Sequence, residues 1–182
     1  TTLGLISARA QVCYGNLNVK FGGAYCGMSD ALDGATHHAT EDIAVMRALP
    51  NMTVLVPSDA TSTRWATKYA VDTYGPMYLR LSRDVYPDLY DENTKFECGK
   101  GAIVRDGTDV TVIACGILVH KALEAAEQMA ARGVSVRVVD MYSIKPIDRE
   151  LILRCAQETG AIVTAEEHNI DGGLGSAVAE VL

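Results

Sequence analysis

The second half of the sequence alternates short apolar runs with helix-like segments, and this alternation constrains the fold more than any other feature. Residues 110–115, 134–140 and 161–166 are rich in Val and Ile and begin roughly 25 residues apart. Residues 118–132 and 148–159, which lie between these runs, have the apolar spacing of helices. Strands that alternate with helices form parallel βαβ units, because each crossover helix returns the chain to the same edge of the sheet. We therefore predict an α/β fold.

The first half predicts the same architecture in a less regular form. The expected elements are strands at 18–24, 53–56 and 77–82 and helices at 38–49 and 58–74, the second of them capped by Ser58. Residues 84–97 contain Pro87 and show neither helical nor strand periodicity, so we interpret them as an interdomain linker. The prediction is two small doubly wound domains, 1–83 and 98–182, each with a mainly parallel sheet covered by helices on both faces.

Charge and cysteine content exclude several functional classes. The net charge is −7 and the basic residues are scattered, so no stripe is available to bind nucleic acid. No apolar run approaches the ~20 residues that cross a bilayer, and residues 1–12 lack the pattern of a signal peptide. The 5 cysteines form no C-x-x-C pair, which favours reduced thiols over a disulfide framework or a zinc site. We expect a cytoplasmic protein that binds neither nucleic acid nor a membrane.

Three residues suited to ligand chemistry follow two of the predicted strands. Asp33 and His37 lie in the glycine-bearing loop after strand 18–24, and Arg83 follows strand 77–82. In a parallel sheet the carboxyl ends of the strands meet at one edge, so we expect these side chains to reach a common ligand. Arginine matches phosphate, histidine exchanges protons near neutral pH, and aspartate accepts hydrogen bonds from sugar hydroxyls. The sequence thus predicts an anion- and hydroxyl-binding site.

Each of these residues also has a purely structural interpretation. Asp33 precedes Gly34, which is typical of a turn. His37 and His38 are consistent with solvated residues at a helix start, and adjacent imidazoles on a helix point about 100° apart, which argues against joint metal binding. Arg83 taken alone would be an ordinary surface arginine.

Two further segments offer weaker signals in the second half. Residues 172–176 form a glycine-rich turn that precedes a helix, and such a turn can hold phosphate on its backbone amides or allow close packing of the helix against a strand. Glu166, Glu167 and His168 follow the last strand, where they could act as acid, base or ligands, or remain solvated. The sequence leaves these alternatives open.

Several blocks, in the correct order, resemble the transketolase family. The blocks that resemble its pyrimidine-binding domain are 33–38 (DGATHH), 41–44 (EDIA), 50–54 (PNMTV), 57–59 (PSD) and 75–83 (GPMYLRLSR). Those that resemble its carboxy-terminal domain are 143–148 (SIKPID), 164–168 (TAEEH) and 172–177 (GGLGSA). The likeness extends over about residues 13–182 and is greatest to the separate carboxy-terminal subunit of split transketolases. Synthases of 1-deoxyxylulose 5-phosphate share the first block and are the near alternative.

The resemblance implies transfer of a two-carbon ketol unit from a ketose phosphate to an aldose phosphate, with thiamine diphosphate as cofactor. By position, His37 would be catalytic and would contact the reacting oxygens and the cofactor, Asp33 would bind a sugar hydroxyl, and Arg83 would clamp the substrate phosphate. No metal site is expected on this chain. Magnesium and the diphosphate would be held mainly by a diphosphate-binding transketolase subunit or domain, in a homodimer or heterotetramer.

The sequence departs from the family pattern in three places. The glutamate that activates the aminopyrimidine, and the aromatic residues that pack on its ring, belong upstream of the matched blocks, and Leu182 lies inside an expected helix. Both domains are therefore expected to be incomplete. Tyr25 stands where the family has a further active-site histidine, and a phenol with an unperturbed pKa of about 10 is a poor proton shuttle. We expect the isolated chain to be inactive; a noncatalytic dimerisation or regulatory subunit is the alternative function.

Overall fold

The structure, a computed structural model, describes residues 2–29 and 32–182. Within them eight strands form two four-stranded sheets. In chain order the strands are β1 (Lys20–Gly23), β2 (Thr53–Leu55), β3 (Met77–Arg80), β4 (Ala102–Arg105), β5 (Val110–Ala114), β6 (Val136–Asp140), β7 (Ser143–Lys145) and β8 (Ile162–Ala165). The first sheet has the order β1-β3-β2-β7 and the second has the order β4-β6-β5-β8. In each sheet three strands are parallel and one edge strand, β7 or β4, is antiparallel. The predicted α/β fold is confirmed.

The helices alternate with these strands as expected. In chain order they are α1 (Thr2–Ser7), α2 (Asp42–Ala48), α3 (Ala60–Asp72), α4 (Leu118–Ala130), α5 (Arg149–Thr159) and α6 (Leu174–Ala179). A π-helical segment, Ala8–Cys13, continues α1, which sequence reasoning did not predict. Asp59, rather than Ser58, caps α3: its carboxylate accepts from the Ser62 amide at 2.7 Å, and the Ser62 hydroxyl accepts in return from the Asp59 amide at 3.1 Å.

The helix expected at 38–49 begins only at Asp42, because the preceding residues are engaged elsewhere. Gly27 and Ala39 form an isolated antiparallel bridge, with the Gly27 amide 2.9 Å from the Ala39 carbonyl oxygen. The Thr40 carbonyl oxygen accepts from the amide of Asn169 in the second half at 2.8 Å. These contacts hold the chain outside the helix until Glu41, and the prediction was wrong by about one turn.

Alternate side chains along each strand pack on opposite faces of its sheet. In the first sheet Leu55, Met77 and Leu79 pack against α3, whereas Val54 and Tyr78 belong to a core that includes residues of α2. The second sheet is arranged in the same way, with α4 on one face and α5 and α6 on the other. Both sheets are thus covered on both faces, which is why their strands are nearly continuous apolar runs.

The two halves share one core. Val54 and Val56 belong to the same buried cluster as Ile113, Val139 and Met141 of the second half. Strand β7, which follows the linker in sequence, pairs with β2 and completes the first sheet. Among the described residues no helix is long and apolar enough to cross a membrane.

The segment 84–97 forms neither helix nor strand, and it is fastened to both halves. The amides of Leu89 and Tyr90 each donate to the Asp59 carboxylate at 2.9 Å, and the Tyr90 hydroxyl donates to Asp140 at 2.8 Å. The ring of Phe96 lies 5.3 Å, centroid to centroid, from the rings of Trp65 and Tyr142. This segment is therefore a packed connection.

Candidate functional site

The loop after β1 and the segment after β3 lie at the same edge of the first sheet, because β1 and β3 are adjacent and parallel. We name residues 24–39 the site loop. The Cys26 amide donates to the Leu81 carbonyl oxygen at 3.0 Å. The Ser29 hydroxyl is 2.8 Å from the Ser82 hydroxyl and accepts from the Arg83 amide at 3.3 Å. The site loop is thus tied directly to the backbone of Arg83.

Asp33 and His37 flank a 3-10 turn, Gly34–Thr36, further along the site loop. Both side chains are exposed, and the Asp33 carboxylate makes no capping hydrogen bond to this turn. The Thr36 hydroxyl lies 3.0 Å from Nδ1 of His37, which orients the imidazole. Residues 30 and 31 of the loop lie outside the described residues. The turn interpretation of Asp33 is correct for its backbone, and its carboxylate and the His37 ring both face solvent, where a ligand can reach them.

Tyr25 and Arg83 contact each other at this edge. The guanidinium carbon of Arg83 lies 5.5 Å from the centroid of the Tyr25 ring, within the range of a cation–π interaction. Tyr25 is 50% exposed and has φ 60°, in the left-handed region that a bulky side chain rarely adopts. Tyr25 is therefore held in a strained conformation directly beside the predicted phosphate-binding arginine.

Beneath the site loop lies a buried ion pair that sequence reasoning missed. Arg80, which is 5% exposed, donates from Nε to one carboxylate oxygen of Asp42 at 2.8 Å and from a terminal nitrogen to the other at 3.2 Å. The Tyr78 hydroxyl also donates to Asp42 at 2.7 Å, and it lies 3.1 Å from the Cys26 sulfur. Arg80 further donates to the carbonyl oxygen of Ala39 at 3.1 Å. The pair therefore joins β3, the start of α2 and the end of the site loop.

The electrostatics of this pair follow from its burial. Burial alone lowers the pKa of Arg80, but its hydrogen bonds to Asp42 outweigh this and raise the pKa above the ordinary value. Burial, followed by the negative charge of Asp42, raises the pKa of Tyr78, and burial raises the pKa of the Cys26 thiol. Arg80 thus stays charged while Tyr78 and Cys26 stay neutral, so the group acts as a fixed support rather than as a proton shuttle.

The second half contacts the site loop through the residues after β8. One carboxylate oxygen of Glu167 accepts from the Met28 amide at 3.0 Å, and its backbone carbonyl oxygen accepts from Arg80 at 2.9 Å. Nε2 of His168 accepts from the Ala44 amide in α2 at 3.2 Å. Two of the residues considered as an acid, a base or ligands are therefore engaged with the first half.

The structure disfavours the phosphate-cradle interpretation of residues 172–176, because the amides of Gly172, Leu174 and Gly175 already donate to side chains of this chain. Glu166 accepts from the amides of Leu174 at 2.6 Å and Gly175 at 2.8 Å, and the Ser176 hydroxyl accepts from the Gly172 amide at 2.8 Å. The helix-to-strand packing interpretation is supported at Gly175 of α6, where a Cβ would lie 3.0 Å from Oγ1 of Thr164 in β8. At Gly172 a Cβ would lie 2.6 Å from the Cβ of Ala44, which is in helix α2. The turn before α6 therefore packs against the first half.

A second polar group occupies the carboxyl end of β6. Asp140 is fully buried, and one of its carboxylate oxygens accepts from the hydroxyls of Ser58 and Tyr90. Its other oxygen has no hydrogen-bond partner among the described residues. Burial raises the pKa of Asp140 to about 7, with a further contribution from the charge of Asp59 that is opposed by the two hydrogen bonds. This group joins the two halves and has no access to ligand.

Two concave surfaces of the described residues are candidates for a ligand site. A pocket of about 320 Å³ is lined by Ser82 and Asp84, the sequence neighbours of Arg83, and by residues that include Pro57 and Tyr86, whereas Arg83 itself does not line it. A larger apolar groove of about 490 Å³ runs between α1 and α2, and Arg9 is the charged residue that lines it. Because the groove offers little polar chemistry, we place the candidate site at the edge that carries Arg83. The described residues contain no group of three or more His, Cys, Asp or Glu side chains that could hold a metal ion.

Comparisons with known proteins agree along the whole chain. Residues 7–88 match the family described as "Transketolase, pyrimidine binding domain", and residues 99–182 match "Transketolase, C-terminal domain". The chain is 44% identical over 172 residues to the "6-deoxy-6-sulfo-D-fructose transketolase subunit SqwH" of Clostridium sp. (strain MSTE9). This match covers 94% of this chain and 53% of that protein. It is 42% identical over 179 residues to an apulose-4-phosphate transketolase subunit of Phocaeicola vulgatus, covering 98% of this chain and 57% of the relative.

A solved structure extends the agreement to three dimensions. The structure described as "Split gene transketolase, inactive beta4 tetramer" is 49% identical, superposes with a TM-score of 0.91, and is matched over 99% of this chain and 58% of its own. The chain spans about half the length of the curated relatives it matches, 53% and 57% of the two named above. Because both domains are matched in the family's order and by fold as well as sequence, the chain belongs to the transketolase family, where it corresponds to the pyrimidine-binding and carboxy-terminal domains.

Proposed function

We propose that this chain supplies the substrate-binding side of a ketol-transfer site. Ketol transfer is the activity of the transketolase family, which depends on thiamine diphosphate. The observation that carries the proposal is the convergence of the site loop and Arg83 at one edge of the first sheet, where Ser29 links them by hydrogen bonds. Asp33 and His37 are exposed on the same loop.

The chain's own residues have distinct roles in this proposal. Arg83 pairs with the anionic end of the sugar through charge-assisted hydrogen bonds. Asp33 accepts a hydrogen bond from a sugar hydroxyl. His37 exchanges a proton with the oxygens of the reacting carbonyl near neutral pH. Its Nδ1 lies beside the Thr36 hydroxyl, which leaves Nε2 as the atom presented to the substrate.

The described residues of this chain fit one end of thiamine diphosphate better than the other. The cofactor supplies a nucleophilic carbon that carries the two-carbon unit between sugars. In this proposal His37, which is exposed on the site loop, would contact the reactive end of the cofactor. A magnesium-bound diphosphate needs carboxylate or amide oxygens in a cluster, and the described residues offer no cluster of three or more His, Cys, Asp or Glu side chains. We assign magnesium and diphosphate binding to a partner subunit or domain.

The requirement for a partner is supported by the relatives. The two curated relatives named above are described as subunits, and the matched structure as a split gene transketolase. We propose assembly in the cytoplasm, either with a diphosphate-binding subunit in a heterotetramer or with a diphosphate-binding domain in a homodimer, and no activity for the isolated chain. The substrates we propose are ketose and aldose phosphates. The relatives' names contain a sulfosugar and a sugar phosphate, and Arg83 suits either anion.

The test is a coupled ketol-transfer assay with and without a diphosphate-binding transketolase partner. We expect activity only with the partner, and Arg83→Ala should weaken phosphorylated donors roughly tenfold or more relative to their unphosphorylated analogues. Arg83→Lys is the matched control that keeps the charge but loses the fork. Equal losses for both donor types would contradict the assignment of Arg83.

One observation favours a second candidate function. Tyr25 replaces the family histidine and adopts a strained conformation, so a noncatalytic dimerisation or regulatory subunit of a thiamine diphosphate enzyme is the alternative. It predicts that the chain binds the partner but gives no ketol transfer in any combination. Transfer above the rate of the partner alone would exclude this alternative.

A further inference from the structure

We infer that Glu167, in the second half of the chain, is a positioning residue for the site loop and therefore for the residues that bind substrate. Its carboxylate accepts from the Met28 amide at 3.0 Å, although the two residues are 139 positions apart in sequence. Glu167 is 9% exposed, so water competes weakly for this bond. A carboxylate that accepts from a backbone amide in a dry setting forms one of the stronger hydrogen bonds in proteins.

The site loop is shaped to receive this carboxylate. Gly27 has φ +82°, in the left-handed region that glycine adopts without strain. A Cβ at Gly27 would lie 2.6 Å from the second carboxylate oxygen of Glu167 and 2.8 Å from its carboxyl carbon. Any side chain at this position would displace Glu167. The glycine therefore serves both the turn and the approach of a residue from the other half.

Glu167 acts where the two ends of the site loop meet. The Gly27 amide donates to the Ala39 carbonyl oxygen, which also accepts from Arg80 at 3.1 Å. Arg80 in turn donates to the backbone carbonyl oxygen of Glu167 at 2.9 Å. The two ends of segment 28–38, which includes Asp33 and His37, are thus held in place by contacts with the second half.

The neighbouring glutamate provides an internal comparison. Both carboxylate oxygens of Glu166 accept from amides at the start of α6, those of Leu174 and Gly175. Glu166 therefore stabilises its own half, whereas the side chain of Glu167 reaches the site loop. Truncating each residue separately distinguishes a general loss of stability from a loss of loop position.

The first experiment is independent of catalysis and measures amide hydrogen exchange of the full chain by NMR. In Glu167→Ala, we expect the Met28 amide to exchange roughly tenfold faster, as follows from losing a hydrogen bond to a charged group. In Glu167→Gln the side-chain oxygen still accepts, and exchange should stay within about threefold of the wild-type rate. Glu166→Ala should leave Met28 unchanged and accelerate Leu174. Unchanged exchange of Met28 in Glu167→Ala would overturn the inference.

The second experiment rests on the proposed function and uses the enzyme assembled with its diphosphate-binding partner. We expect Glu167→Ala to lower kcat about 10- to 100-fold, the effect of misplacing reacting groups by about 1 Å, with a smaller change in KM. Glu167→Gln should restore kcat to within about threefold, and Glu166→Ala should lower the melting temperature while keeping kcat. Equal loss of kcat in the two alanine variants would reduce Glu167 to a general structural role. If the wild-type assembly transfers no ketol unit, the proposed function fails, and hydrogen exchange at Met28 still decides the position of the loop.

Discussion

The carboxyl edges of the two sheets have the same kind of topology but differ in their exposure to solvent. At the first sheet, Tyr25 and Arg83 follow β1 and β3 and are exposed. At the second, Asp140 at the end of β6 is fully buried, and Cys115 after β5 is nearly so. The second edge is covered because the first half packs on it, through Ser58 onto Asp140 and through Met28 onto Glu167. Topology identifies two candidate edges, and packing leaves only part of one of them for a ligand.

This difference also separates two kinds of charge. An exposed charge at the open edge keeps much of its hydration. A charge that packing has buried, whether Asp140 at the second edge or Arg80 at the first, loses its hydration and must be neutralised, paired or supported by hydrogen bonds. Substitutions of buried and exposed residues at these edges test this contrast.

Removing the buried arginine should have the largest effect on folding. Arg80→Met leaves the Asp42 carboxylate nearly buried without its cation, which we expect to lower the free energy of unfolding by about 3–5 kcal/mol. Urea denaturation measures this quantity. The control is Arg83→Met, three residues along at the open edge, which should cost no more than about 1 kcal/mol, the value of a cation–π contact at an exposed site such as that with Tyr25. Similar losses in the two variants would break the contrast.

The buried carboxylate at the covered edge should make stability depend on pH. Because the pKa of Asp140 is raised to about 7, the folded chain keeps a proton that the unfolded chain releases near pH 4. The contribution of Asp140 to the free energy of unfolding should therefore be greatest at low pH. It should fall by at most about 4 kcal/mol as pH rises from about 4 through 7. The measurement is the free energy of unfolding of wild type and Asp140→Asn between pH 5 and 9.

Asp140→Asn should remove most of this dependence of stability on pH. Compared with wild type at the same pH, the variant should therefore be more favourable at pH 8 than at pH 5. Asp59 is shifted in the opposite direction. Burial alone raises its pKa, but hydrogen bonds from Ser62, Tyr90 and Leu89 outweigh this and lower it. Its stabilising contribution is lost only as pH falls below about 4, outside the window assigned to Asp140. Parallel profiles for wild type and Asp140→Asn would contradict the prediction.

The linker contact that helps cover the second edge should have an intermediate effect. Asp59→Ala removes the cap of α3 and the acceptor for the amides of Leu89 and Tyr90, which we expect to cost about 1–2 kcal/mol in thermal or urea unfolding. Asp72→Ala, at the exposed end of the same helix, is the control and should cost less than about 0.5 kcal/mol. A cost confined to the cap, with the linker amides still protected from exchange, would show that Asp59 does not hold the linker.

The smallest effect is expected from the aromatic ring at the open edge. Tyr25→Leu removes the ring beneath Arg83 and, within the proposed function, should raise KM for a phosphorylated donor by about two- to fivefold. Tyr25→Phe keeps the ring and should leave KM unchanged. Both variants retain a bulky side chain at φ 60°, so backbone strain cancels in the comparison. A change in KM with Phe would assign the effect to the hydroxyl group instead.

The sequence predicted the fold and one edge because those features are local. Val- and Ile-rich runs separated by helices define a parallel sheet, and the rule for carboxyl ends selects Asp33, His37 and Arg83 as residues of one edge. Strands β4 and β7 were missed because each pairs antiparallel at a sheet edge and lies outside the alternation of strands and helices on which the prediction depended. Their existence depends on partners distant in sequence.

The buried supports were missed for a related reason. Arg80 and Asp42 are 38 residues apart, and Arg80 and Glu167 are 87 apart, so no short motif joins them. One signal was nevertheless present, since Arg80 lies between Leu79 and Leu81 in a strand expected to be buried, and a buried guanidinium needs a carboxylate. Which carboxylate it takes is decided by the packing of α2 and the second half.

Strand β7 has a consequence for anyone who wishes to exchange modules within this family. Ser143–Lys145 belongs by sequence to the second half but completes the first sheet, and the Lys145 ammonium donates to the carbonyl oxygens of Arg47 and Leu49 at the end of α2. A chimera joined within residues 84–97 would graft a foreign strand onto the sheet that carries the site loop. Recombination designs that aim at new sugar specificity should therefore transfer residues 143–145 together with the first half.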